Sequence, residues 1–201
     1  MTDLPAKRRP GRPKTVDRQR VVALAMDHWW RQGVSNASLN EVCRQVQLSK
    51  PALYREFGGQ DGLMEAALGY YEEQVVAPVL AATEMDLPFA ELVELLIVGM
   101  TNAPGPAGCL FTEMRLGRAQ LGEATTKRIR TMEQHRRQVF QAWYRRALDR
   151  GEVNASVSPA VAARYIDTQI AMALALLGAC EPAESVAEQT RLAFRTLRPV
   201  P

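Results

Sequence analysis

Cysteine is scarce and scattered. Cys43, Cys109 and Cys180 stand far apart without paired spacing, which excludes a disulfide framework and a zinc module. Histidine is scarcer still, with only His28 and His135, and the methionines are dispersed, so no metal site is expected. A glycine-rich phosphate loop is missing, as is any nucleophile and base at a meaningful spacing, so neither an enzyme nor a bound cofactor is expected. The densest apolar run, Ile170 to Leu177 (IAMALALL), falls short of the ~18 residues of a membrane span. The basic N-terminus has no apolar segment behind it, so a secretory signal is not expected either. A reduced, cytoplasmic protein is the expectation that remains.

What is present is helical periodicity from end to end, in 201 residues that are 47% hydrophobic and 23% charged. The chain reads as all-α, with about nine helices and three parts. Residues 1–15 form a basic, flexible arm. A three-helix unit follows over 16–60, then a larger helical domain over 61–201. The formal charge of +3 hides an asymmetry: residues 1–58 hold 11 Lys and Arg against 5 Asp and Glu, the remainder 14 against 17. Positive charge is thus gathered where phosphates would be met.

The arm reads KRRPGRPK from Lys7 to Lys14, and its two prolines and glycine exclude a helix. Gly11-Arg12-Pro13 resembles an AT-hook, which would lay Arg9, Arg12 and Lys14 in a minor groove. A solubilising tail with only general phosphate attraction is the alternative.

The first helix is predicted over 16–32, with Val21, Leu24, Ala25, His28 and Trp29 on an inward stripe and a left-handed cap at Gly33. His28 reads as a packed core histidine. Ser38 and Glu41 form a capping box with Ala37 and Val42 as its hydrophobic staple, opening a short second helix over 39–46. Leu39, Val42, Cys43 and Val46 face inward. The turn Gln47-Leu48-Ser49 offers Ser49 as the next N-cap, and Pro51 suits the first turn of a third helix. That helix is predicted to run to Phe57 and stop at Gly58-Gly59. Leu53 and Phe57 anchor it, leaving Lys50, Ala52, Tyr54, Arg55 and Glu56 outward, where cations and a phenol can reach base edges and phosphates.

These residues, from Gly33 through Val42-Cys43 and Leu48-Ser49 to Leu53-Tyr54-x-x-Phe57 and Asp61-x-Leu63, resemble the N-terminal signature of the TetR family of transcriptional repressors. The resemblance covers about 50 residues with spacing kept throughout. It implies that the third helix is the recognition helix, that Lys50 and Tyr54 contact DNA, and that Ser38 sits near a phosphate. The chain departs from the family at Gln47, where glycine is common, and at Gln60, where lysine usually opens the fourth helix. Losing that lysine removes about one phosphate contact per subunit, which the arm could replace.

Beyond Gly59 helices are predicted over 60–83 (bent or ended near Pro78), 89–100, 109 to about 117 or 122, 123–150, 159–178 and 185–197, with TNAPGPAG at 101–108 the clearest loop. The eighth helix is apolar almost all round from Ile170 to Leu177, which calls for a second apolar neighbour. A homodimer through the eighth and ninth helices, by Ile170, Leu174, Leu177 and Phe194, supplies one, and the family dimerises in this way.

A small-molecule effector of unknown identity is expected among the fourth to eighth helices. Its candidate contacts are Tyr71, Met100, Cys109 and Phe111, joined by Met114, Met132, Arg136 and Trp143, with Tyr70 also near. Arg136 lies within an apolar stripe of Ile129, Met132, Val139, Phe140, Trp143 and Ala147. It would be matched by an internal carboxylate, Glu113 being a candidate, or by an anionic group of the effector. Cys109 opens its helix after a glycine and reads either as a buried structural thiol or as a redox-active one. The function expected is a ligand-responsive regulator that binds a pseudo-palindromic operator as a dimer. The alternative is an effector-independent architectural protein that prefers A·T-rich DNA.

Overall fold

The computed structural model describes residues 17–103 and 105–199. Arg9, Arg12 and Lys14 of the arm lie outside them. Among the described residues every regular element is helical.

Three helices build the N-terminal unit. Helix α1 (Arg18–Gln32) begins at Asp17, whose carboxylate accepts the Arg20 N–H, and buries Val21, Val22, Ala25 and Trp29. His28 is half-buried. Gly33 ends α1 at φ 82, ψ 144, positive in φ but not the left-handed helical cap expected. The chain swings away there because the Val34 N–H donates to Glu113 Oε1 at 2.7 Å, across 79 residues. Helix α2 (Leu39–Gln45) carries the full capping box. Helix α3 (Lys50–Phe57) is capped by Ser49, has Pro51 in its first turn and stops at Gly58 in the left-handed conformation. Gln47 in the turn between them adopts φ 55, a region costly for a residue with a Cβ.

The fourth predicted helix is one rod in three stretches: α4 (Gln60–Tyr71), a π-helical turn (Glu72–Val76) and α5 (Ala77–Ala82). Pro78 causes the interruption. It has no N–H for a bond four residues back, and the Ala77 N–H already reaches the Glu72 carbonyl five residues back. The buried stripe therefore slips by one residue, from Tyr71 to Val76 and then Leu80. At the other end of the rod, Gly62 is pressed so close to α3 that a Cβ there would stand 1.8 Å from the Phe57 carbonyl oxygen. No other residue fits at that crossing.

Helices α6 (Phe89–Thr101), α7 (Leu110–Leu116), α8 (Glu123–Asp149), α9 (Pro159–Gly178) and α10 (Ala183–Arg195) complete the larger domain, with a short 3₁₀ turn (Arg118–Gln120) before α8. α8 is its spine, lying along α4, α7 and α9. Its inward stripe includes Ile129, Met132, Phe140 and Trp143.

Two expectations need correction. The run IAMALALL belongs to a helix of 20 residues with a mean hydropathy of 1.3 over its best window, which is long and apolar enough to cross a membrane by that measure. In the fold it packs against α8 and α10, and Asp167 on it is engaged in ion pairs. Two of the four residues expected to meet a second subunit, Ile170 and Phe194, are each 4% exposed and packed within the one chain, while Leu174 and Leu177 are half-buried and line a cavity. The apolar side chains that α9 and α10 do expose are Val161, Met172 and Leu192.

Candidate nucleic-acid interface and the cavity behind it

α3 separates its two faces cleanly. Leu53 is fully buried and Phe57 nearly so, whereas Tyr54 is 58% exposed and Lys50 and Arg55 face solvent. Arg55 Nε donates to Glu56 Oε1 at 3.0 Å, one exposed pair on this face. The Tyr54 ring is held in place from behind: a Cβ on Gly59 would meet its Cε1 at 3.2 Å, and Gly59 itself has φ 122. Ala52, expected outward, is half-buried and packs against the core. Gln60 is half-buried in a cleft between the two domains.

The hydroxyls at the helix starts serve as caps. Ser38 Oγ accepts the Glu41 N–H at 3.3 Å and donates to Glu41 Oε2 at 2.7 Å, while the Ser38 N–H reaches the same carboxylate at 2.9 Å. The Ser38 hydroxyl bond is the main reason the Glu41 carboxyl titrates below its ordinary value. Ser49 Oγ accepts the Ala52 N–H at 3.3 Å. Arg18, which the sequence pattern did not single out, lies over the Phe57 ring at 4.3 Å and donates to the Glu56 carbonyl, tying the start of α1 to the end of α3.

Two polar links join this unit to the larger domain. Glu113 on α7 holds the Val34 N–H, as described above. Asp61, in the first turn of α4, caps α8: its carboxylate accepts the Ala124 N–H at 2.8 Å, the Thr125 N–H at 3.1 Å and the Thr125 hydroxyl at 2.6 Å. Partial burial works against its charge, yet the Thr125 hydroxyl and the two backbone donors bring Asp61 below the usual carboxyl range. The sequence signal for Asp61 was its place after Gly59; nothing local announced its partner, Ala124, 63 residues away.

Behind these links lies a cavity of about 570 Å³, within the range of small-molecule sites. Of the candidate effector contacts, Tyr71, Met100, Cys109 and Arg136 line it. Phe111, Met114, Met132 and Trp143 do not. Phe111 is fully buried beneath Arg136, Met114 faces the interdomain cleft, Met132 is core, and Trp143 stacks on Phe89 at 4.7 Å. The rest of the wall comes from the π-helical turn, α5, α6, α8, α9 and the loop residues Ala103 and Gly105–Gly108, through side chains such as Val76, Pro78, Leu96, Phe140 and Leu174. Trp30 of α1 also belongs to the wall, its ring edge-on to Tyr71 at 4.9 Å.

Arg136 is 4% exposed and its partner is Asp167 on α9, not Glu113. Nε donates to Asp167 Oδ1 at 2.9 Å, and Nη2 stands 2.7 Å from the same oxygen in the ion pair. Arg115 Nη1 takes the other oxygen at 2.6 Å. Cys109 is buried, its Sγ accepting from the Tyr71 hydroxyl at 3.3 Å and from the Thr112 N–H at 3.4 Å. Burial is the main reason Tyr71 titrates far above its ordinary value, so it stays a neutral phenol.

Residues 21–67 match the model of the bacterial regulatory proteins of the tetR family. Over 110 residues the chain is 29% identical to the HTH-type transcriptional repressor ComR of Escherichia coli (strain K12), a match that spans 52% of each protein, about half the length of that relative. Among solved structures it is similar to the TetR family regulator CifR, a cysteine mutant complexed with 26 bp operator DNA, with a TM-score of 0.74 at 22% identity over 93% of this chain and all of that one. It is also similar to a TetR family regulator from Agrobacterium tumefaciens, with a TM-score of 0.76 at 14% identity over 90% and 97%. Residues 21–67 thus carry a domain similar to that of the bacterial regulatory proteins of the tetR family, and the described residues share the fold of these solved regulators.

Proposed function

We propose that this chain is a cytoplasmic transcriptional regulator, not an enzyme, that binds an operator as a homodimer, represses from it, and is released by a small molecule held in the cavity. The observation that carries the reading is the division of α3, whose Leu53 and Phe57 are buried while Lys50, Tyr54 and Arg55 lie exposed on the other face. A helix anchored on one side and cationic on the other suits a major groove. Ser38 and Ser49 lie exposed at the starts of α2 and α3, beside backbone N–H groups that favour phosphate. Gln60 at the start of α4 and the arm residues Arg9, Arg12 and Lys14 extend the contact.

The second subunit is assigned to the α9–α10 face that exposes Val161, Met172 and Leu192. A two-fold pair through that face presents two α3 helices to half-sites spaced by a multiple of ~10 bp. An effector acts only through its differential affinity for DNA-fitting and non-fitting spacings. Trp30, the Glu113–Val34 link and the Asp61 cap are the routes by which a filled cavity bears on the reader.

Footprinting on DNA flanking its own gene, with and without candidate metabolites, tests this. The expected result is a protected pseudo-palindrome that opens on effector addition. Affinity should fall about 10³–10⁵-fold between 50 and 200 mM salt for ~6–10 phosphate contacts. A·T-rich preference without a defined palindrome, unchanged by any metabolite, would replace this reading with the architectural one.

A further inference from the structure

The cavity's charge is not balanced, and this bears on what it holds. Its wall contains one ionised side chain among the described residues, Arg136, and no Asp, Glu or His. Arg136 shares its carboxylate: Asp167 receives Arg136 on one oxygen and Arg115 on the other. Two buried or half-buried guanidinium groups thus face one carboxylate. Glu133, the other acid near this part of α8, is turned to Arg118 and Arg137 at 3.9 and 3.7 Å. A surplus of one positive charge in a mostly apolar interior is unfavourable until something compensates it. Arg136 spends Nε and Nη2 on Asp167, and no hydrogen bond of Nη1 is found among the described residues.

The neighbouring polar groups are donors. The Trp30 indole nitrogen is buried and has no hydrogen-bond partner among the described residues. Its ring rests edge-on against Tyr71, whose hydroxyl donates to the Cys109 sulfur, a weak acceptor. The Arg136 charge is near enough to act on that same hydroxyl. Arg136 is therefore the cationic point of the wall, and apart from Gln74 and Thr101 the remainder, with Val79, Leu95, Leu174 and Leu177, is mostly hydrocarbon.

Resting on the effector reading above, we infer that the cavity takes an amphipathic monoanion, with a carboxylate or equivalent acidic head at Arg136 and an apolar body along α5, α6 and α9. One negative head cancels the surplus and gives Arg136 Nη1 an acceptor. Because Trp30 of α1 shares the wall, a ligand there borders the DNA-reading unit.

Titration calorimetry of the full chain at neutral pH with decanoate, decan-1-ol and decylamine tests the inference, since the three share one tail and differ in the head. Decanoate should bind roughly tenfold or more tightly than the alcohol, the scale of a charge-assisted hydrogen bond, and the amine more weakly still. Arg136→Met should bring acid and alcohol level, while Arg115 continues to hold Asp167. Trp30→Phe keeps an aromatic ring in the wall and should leave the preference for acid over alcohol unchanged. If Arg136→Met does not fold, the unmodified chain decides by that same preference. Equal affinity for acid and alcohol overturns the monoanion and leaves the effector reading standing. No binding by any of the three overturns both.

Discussion

The unit proposed to read DNA and the domain behind it solve the same packing problem with different means. In the reader, short helices are defined by their ends: a capping box at Ser38, a cap at Ser49, a proline at the start of α3 and a glycine at its close. In the larger domain, helix faces do the work, and long elements such as α8 bury a stripe along 27 residues. Ends are written locally, in residues a few places apart. Faces are settled only when distant elements meet. The first region accordingly holds its shape around fixed turns, and the second has room to enclose a cavity of about 570 Å³.

The sharpest way to break this contrast is Gly62→Ala, which drives a methyl group into the Phe57 carbonyl at the α3–α4 crossing. It should cost about 1–3 kcal/mol or more through overpacking and abolish operator binding, while α8 and α9 keep their packing. Thermal melting together with an electrophoretic mobility assay would show it. A normal melt and normal binding would mean that the crossing is not rigid.

Next in size is Tyr54→Phe combined with Lys50→Ala on the exposed face of α3. A side chain that reads a base should take about 1–3 kcal/mol of operator binding with it when removed. If Lys50 holds a phosphate instead, its removal should lower the salt slope by about 1. The melting temperature should not move, because neither side chain is buried. Unchanged footprints from the double variant would remove α3 from its assigned place.

A smaller effect tests the seam between the regions. Asp61→Asn removes the charged cap of α8 and should cost about 1 kcal/mol at neutral pH. The folded Asp61 titrates below its ordinary value. Its contribution is therefore complete above about pH 4, the unfolded value, and is lost as pH falls through the lower folded value. Denaturant melts of the two proteins should differ at pH 7 and converge in strong acid. Smallest of all, Gln47→Gly relieves the positive φ in the α2–α3 turn and should stabilise the reader by up to about 1 kcal/mol.

The reader's helices, caps and buried anchors were legible because each depends on neighbours in sequence. Ser38 and Glu41 form the expected box, and Leu53 and Phe57 are buried while Tyr54 is not. The larger domain was legible in its helix limits but not in its packing. Met132 and Trp143 share an apolar stripe with Arg136, and a stripe looks alike whether it meets packed side chains or an open cavity. The partner of Arg136 sits 31 residues on, at Asp167, on a helix whose apolar character drew attention to Ile170 and Leu174 instead. Trp30 was hidden for a different reason: it belongs to the reader by sequence and to the cavity by position.

The π-helical turn between Tyr71 and Ala77 gives the rod one residue more than a regular helix would use over that span. Deleting a single residue within Glu72–Val76 would allow an unbroken α-helical ladder up to Pro78, yet everything beyond it would rotate by about 100°. Val76 and Leu80 would then sweep out of the cavity wall. The spare residue acts as a phase shifter, letting one continuous rod show the three-helix unit at one end and the cavity at the other the side each of them needs.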